Sequence, residues 1–204
     1  MSELAVLQAV RLKGRVRPAD LAATLDTDLA DVTTIVERLT AAGLLADGAT
    51  VRITPGGRDR LAALLDEERR GVDRAAIAAA YDDFRSVNAD FKALLTDWQL
   101  KGGPRGTPNA HDDAAYDAAV LARLDDVHAR VLPIIDSVGA QLPRLNSYAS
   151  KLIAALNKVR DGDTAWLTRP LIDSYHTVWF ELHEELISAV GLTREEAARS
   201  GDAQ

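Results

Sequence analysis

PLIDSYHTVWFELHEELISAV, residues 170–190, decides how the second half of the chain is read. Placed on a helix at about 100° per residue, it sorts into two arcs. Asp173, Ser174, Thr177, Glu181, Glu184, Glu185 and Ser188 share a polar arc. Leu171, Ile172, Tyr175, Val178, Trp179, Phe180, Leu182, Leu186, Ile187 and Val190 fill the rest. His176 and His183 fall inside the apolar arc, so the pattern predicts a helix wrapped by neighbours with both imidazoles buried. Seven residues separate them, a rise of about 10 Å, too far to chelate one ion as an i,i+4 pair does. A buried imidazole needs hydrogen-bond partners from other helices. Two readings follow: histidines that tie a helical core together, or a polar pocket inside a bundle for a ligand, an effector or a metal.

Composition sets the frame. The chain has 204 residues, 47% hydrophobic and 27% charged, enough for one large domain or two small ones. It has no cysteine, which excludes disulfides, thiolate metal sites and a cysteine nucleophile. No apolar run approaches the length of a membrane span, and the first residues lack a signal-peptide layout, so the expectation is a cytoplasmic chain with no membrane partner. Residues 1–65 are charge-balanced, and residues 66–204 carry the whole net charge of −7 and all four histidines. A polyanion is therefore not drawn to the second part, and any nucleic acid falls to the first.

In residues 1–65, helical spacing over 3–13 is stopped by Gly14. Pro18 opens PADLAATL, and Thr27 or Asp28 caps a third helix that ends at Gly43. Residues 44–46 and 51–54 read as short strands around Asp47-Gly48, a hairpin signal. Thr54-Pro55 then caps and opens another helix. Helix, helix, helix, hairpin, helix is the order of a winged helix-turn-helix. PADLAATL, VTTIVERLTAAGLL and VRITPGGRDRL together resemble the N-terminal part of MarR-type regulators, over about a third of the chain. The resemblance implies DNA binding. The candidate contacts are Arg11, Lys13, Arg15 and Arg17, Thr33, Thr34 and Arg38 on the third helix, and Arg52 on the wing, with Arg58 and Arg60 close to it. Against it stand Asp28, Asp31 and Glu37 on the same outward face of the third helix, and the missing Asp-x-Arg of the wing. The alternative is a winged helix that docks a protein.

Residues 66–204 read as a bundle of about four antiparallel helices, making the fold class mainly α. Ile77, Tyr81, Phe84, Asn88, Phe91, Leu95 and Trp98 alternate in steps of four and three, a heptad seam. Asn88, its one amide, either fixes register or faces a pocket. KGGPRGTPN, residues 101–109, reads as a loop, and it lacks the spacing of a phosphate cradle. His111, Asp112 and Asp113 read as a capping cluster. The next helix has Val120, Leu124, Val127, Val131, Ile135 and Val138 inward, with His128 and Asp117 on the same side and a kink expected at Pro133. Asn88, Asp117, His128, His176, Trp179 and His183 are thus the candidate pocket. Metal-binding effector domains of GntR-type regulators set Asp and His four apart on one helix. Here Asp125 precedes His128 by three and faces outward, so no metal or other cofactor is expected.

DWQL at 97–100, DAAYDAAVLARL at 113–124 and RPLIDSYHTVWFELHEEL at 169–186 resemble actinobacterial proteins associated with pyruvate, phosphate dikinase-like enzymes. That resemblance implies an accessory or regulatory partner of a phosphotransfer enzyme. No nucleophile–base motif, chelating pair or glycine-rich phosphate loop is present, so catalysis is not the expected role. The expectations are therefore a transcription regulator whose helical part senses an effector and forms a homodimer, or a protein-docking accessory subunit.

Overall fold

The chain is mainly α, as expected. The computed structural model describes residues 2–46 and 48–199. These form ten α-helices and two two-stranded antiparallel sheets. Their contacts divide the chain into two units. The first runs through Val72 and also takes in His183–Leu192; the second is Asp73–Leu182 with the described residues from Thr193 onward. The expected division at 65/66 was contiguous and did not foresee a late segment joining the first unit.

The first unit follows its local signals closely. Helix α1 (Glu3–Lys13) is capped by Ser2, whose hydroxyl accepts from the Ala5 N–H at 3.2 Å, and ends at Gly14 in a left-handed conformation with φ 73°. Helix α2 (Pro18–Leu25) has proline in its first turn, and α3 (Leu29–Ala41) follows Asp28, whose side chain makes no cap bond. Strands β1 (Leu45–Ala46) and β2 (Arg52–Ile53) pair antiparallel, and Asp47 of the expected hairpin turn lies outside the described residues. Val16 and Val51 exchange backbone hydrogen bonds of 3.2 and 2.9 Å, which tie the α1–α2 turn to the hairpin. Thr54 caps α4 (Pro55–Arg70) by accepting from the Gly57 N–H. A Cβ on Gly57 would sit 2.1 Å from the Leu44 carbonyl oxygen, so only glycine lets α4 start this close to the hairpin. Val6, Leu7, Val10, Leu21, Val32 and Leu39 centre the core.

In the second unit the heptad seam is buried along its whole length on α5 (Arg74–Gln99). Strands β3 (Leu100–Lys101) and β4 (Thr107–Pro108) form a small hairpin where a loop was expected, because Gly102 and Gly103 adopt positive φ and turn the chain back on itself. Helix α6 (Ala114–Gln141) continues through Pro133, and a 3-10 turn (Pro143–Asn146) leads into α7 (Ser147–Arg160) and α8 (Ala165–Thr168). As α5 advances from Asp90 to Asp97, its ion-pair partners on α6 retreat from Arg130 to Arg123, so the two helices are antiparallel. Asp125 with Arg160, and Gly139 against Asn146, set α7 antiparallel to α6 in the same way. Tyr175 against Phe91 and Trp179 against Phe84 do so for the start of α9 (Tyr175–Val190) on α5. The expected four-helix bundle is thereby present in α5, α6, α7 and the start of α9.

Two features of residues 170–190 differ from the expectation. The helix begins at Tyr175, not Pro170, because Leu171 is left-handed at φ 68° and the Ser174 hydroxyl caps the later start. The polar arc is also not the solvent side. All seven residues 181–187 are buried, including Glu181, Glu184 and Glu185, whereas His176 and Phe180 are exposed. Within the second unit α9 turns Tyr175, Val178, Trp179 and Leu182 inward, and His176 lies about 100° around the helix from Tyr175. A further helix, α10 (Arg194–Arg199), was not anticipated. Its capping box is explicit: Thr193 N–H donates to Glu196, and Glu196 N–H to the Thr193 hydroxyl.

Candidate functional site

Four stretches of the first unit bring arginines to a cavity of about 510 Å³. Arg11 and Gly14 come from the end of α1, Arg15 from the turn held by the Val16–Val51 bridge, and Arg52 from β2. Arg58 comes from the first turn of α4, beside Thr54 and Pro55. The alternation of β2 explains Arg52: Ile53 turns into the core, so Arg52 turns out. Ala46, Ile53 and Pro55 supply the apolar part of the wall, and no described lining residue is a carboxylate. Arg15, Arg52 and Arg58 are exposed, and none of them has an ion-pair partner among the described residues. Guanidiniums stay protonated, so four of them around one cavity make a strongly positive region.

Arg11 differs from the other three. Its Nε–H donates to Gln8 Oε1 at 3.0 Å, and its Nη1 stands 3.6 Å from Glu184. Gln8, 1% exposed in the first-unit core, donates in turn to Glu185 Oε2 at 2.9 Å. The Nη2 of Arg11 is buried and has no hydrogen-bond partner among the described residues. This chain of polar groups was missed in the sequence. Its signals were there: Gln8 interrupts the apolar run VLQAV, and three glutamates crowd residues 181–185.

The other expected DNA contacts are dispersed. Arg17 grips Asp20 through both nitrogens at 2.7 and 2.9 Å, and that hydrogen bonding holds the Asp20 carboxyl below its usual range. Lys13 also has an interaction within the protein. Arg38 stands 3.6 Å from Glu3, which is held at low pKa mainly by its hydrogen bond from Arg60. The hydroxyls of Thr33 and Thr34 donate back to the carbonyls of Leu29 and Ala30, as residues four apart on a helix do. The exposed face of α3 presents Asp28, Leu29, Asp31, Thr34, Glu37 and Arg38. Of the eight expected contacts, Arg11, Arg15 and Arg52 meet at the cavity.

Of the residues of the expected pocket, Asn88 and Trp179 meet. Trp179 Nε1 donates to Asn88 Oδ1 at 2.9 Å in the core. His128 Nδ1 lies 3.2 Å from the Tyr175 hydroxyl; burial holds its imidazole below the ordinary value of 6.5, and the Arg160 charge adds to this. Asp117 is eleven residues before His128 on α6, about 16 Å away along the axis. It belongs to another cluster, accepting from Asn109 at 2.8 Å and lying 3.0 Å from His111, whose ring rests on Trp98. The Asn109 bond, then His111, hold the Asp117 carboxyl below its usual range. Of the capping cluster expected at His111, Asp112 and Asp113, it is Asp113 that caps α6, accepting from the Tyr116 N–H. His176 is exposed, with its ring 6.3 Å from Phe91, and the buried His183 belongs to the first unit. A cavity of about 500 Å³ beside Ser86, Arg130 and Pro133 includes none of these six residues.

Among the described residues, no group of three or more His, Cys, Asp or Glu side chains is placed to hold a metal ion. No described helix is long and apolar enough to cross a membrane. No protein-family model matches the chain, and no curated protein or solved structure matches it.

Proposed function

We propose that the chain is a nucleic-acid-binding regulator that grips phosphates with Arg15, Arg52 and Arg58 of a winged-helix first unit, with the helical unit as its effector-sensing and dimerisation body. One observation carries this reading: three exposed arginines without acidic partners among the described residues converge on one face. Phosphate contacts supply most of nucleic-acid affinity, and guanidinium is well matched to them. The acidic face of α3 argues against extensive base readout, so the contact is mainly to the backbone. The test is fluorescence anisotropy with duplex DNA over a salt series. Each phosphate contact contributes about −0.9 to the slope of log K against log salt, so the expected slope is about −3. Arg15→Ala, Arg52→Ala and Arg58→Ala should each reduce its size by about 1. A salt-independent or absent signal rejects the reading.

A second reading is favoured by Leu29, 49% exposed among Asp28, Asp31 and Glu37. An apolar residue ringed by acids suits a protein partner with a basic rim. In that case the chain is an accessory subunit, for which a pyruvate, phosphate dikinase-like enzyme is the candidate partner. Binding to such an enzyme that is lost in Leu29→Asp, with no DNA affinity, would select it.

A further inference from the structure

We propose that the arginine-walled cavity is a binding site for a small phosphorylated molecule, its phosphate held by Arg15, Arg52 and Arg58, with the charge of Arg11 in the same wall. This rests on reading these arginines as phosphate binders, and it adds the class of ligand and an element of regulation. A DNA backbone lying across a surface needs no cavity, whereas this one encloses about 510 Å³. That is the size of a small-molecule site, roughly 300–1,000 Å³. Four cations without a lining carboxylate among the described residues repel one another, and a dianionic phosphate relieves that repulsion more than a phosphodiester does. The guanidinium fork also fits phosphate oxygens two at a time.

Arg11 lines the same wall: its Nε–H is committed to Gln8 and its Nη1 stands 3.6 Å from Glu184, so its side chain is held in place while its charge reaches the cavity. The first turn of the sixteen-residue α4 adds the positive end of a helix to the same wall. Ala46, Ile53 and Pro55 give the carbon skeleton of the ligand an apolar surface.

Glu184 makes the site tunable. It competes with the ligand for the charge of Arg11 from 3.6 Å away. Binding of the phosphate and engagement of Glu184 by Arg11 are therefore linked, each weakening the other.

Inorganic pyrophosphate titrated into the full chain by isothermal calorimetry, at constant ionic strength, tests the proposal. The expected result is saturable binding of one equivalent. Arg52→Ala/Arg58→Ala should weaken it by about tenfold or more, since each loses a charge-assisted hydrogen-bonded pair. Glu184→Gln keeps the shape and removes the competing charge, and should tighten binding by about fivefold. If the double alanine variant does not fold, Arg52→Lys/Arg58→Lys keeps the charge, loses the fork, and should still bind measurably more weakly. No saturable heat, binding unchanged by these arginine changes, or equal affinity in Glu184→Gln would overturn it. DNA anisotropy on the same variants separates the two claims. Pyrophosphate binding without DNA binding rejects only the nucleic-acid reading, and DNA binding without pyrophosphate binding rejects only this one.

Discussion

The two units treat buried polar side chains in opposite ways. In the second, two neutral pairs close across facing helices: Trp179 donates to Asn88, and His128 meets the Tyr175 hydroxyl. Each pair joins seam or stripe residues of different helices, so it fixes which turn packs against which, the role a lone polar residue has in a coiled-coil seam. In the first unit the polar groups form a charged chain, Glu185–Gln8–Arg11–Glu184, whose arginine also lines a cavity. Histidines in a helical core attract functional readings, yet here His128 meets the Tyr175 hydroxyl in the second unit, while the exposed Arg15, Arg52 and Arg58 gather at a cavity of the first.

Three measurements can break or sharpen that contrast. The largest effect is expected for Trp179→Ala, which empties a site against the rings of Phe84 at 5.1 Å and Phe91 at 4.4 Å and removes the indole donor to Asn88 Oδ1. It should cost about 3–5 kcal/mol in urea denaturation. A cost below about 1 kcal/mol would show that the pair does not organise the bundle. Next, Glu185→Leu leaves the Gln8 amide buried without this acceptor and should cost about 1–3 kcal/mol. Adding Gln8→Leu should recover part of that loss. A double-mutant cycle with no coupling would mean the polar chain is not a connected unit.

The smallest effect concerns His128. Its imidazole titrates below 6.5 in the folded protein because of burial, so the folded state takes up a proton less readily than the unfolded chain. Full stability is therefore present above about pH 6.5 and is lost as pH falls from there through the depressed folded value. His128→Gln should flatten that part of the stability–pH profile, and an unchanged profile would show that the buried imidazole is not its source.

Much of this architecture was legible one element at a time. Pro18, Pro55, Gly14 and the Thr54 cap act within a turn of where they stand, and they set the helix ends of the first unit. The seam from Ile77 to Trp98 needed only a period, and every one of its seven residues is buried. The Thr193–Glu196 capping box was equally readable and was overlooked. The candidate site was legible in part. Arg11, Arg15 and Arg52 stood out as cations, but nothing local distinguished them from Arg17, which Asp20 occupies, or from Arg38, which stands by Glu3.

What the sequence determined by itself was the set of helices and the inward stripes of α5 and α6, because propensity, capping and period act over a few residues. What covers the other side of a helix is not a local property. The arcs of residues 170–190 assumed one buried side, yet residues 181–187 are enclosed all round, glutamates included, and His176 is exposed. The partners of Glu184 and Glu185 lie more than 170 positions earlier in the chain, at Arg11 and Gln8. Only the tertiary structure could bring them together, and only the bridge between Val16 and Val51 could set arginines from four stretches of chain around one cavity.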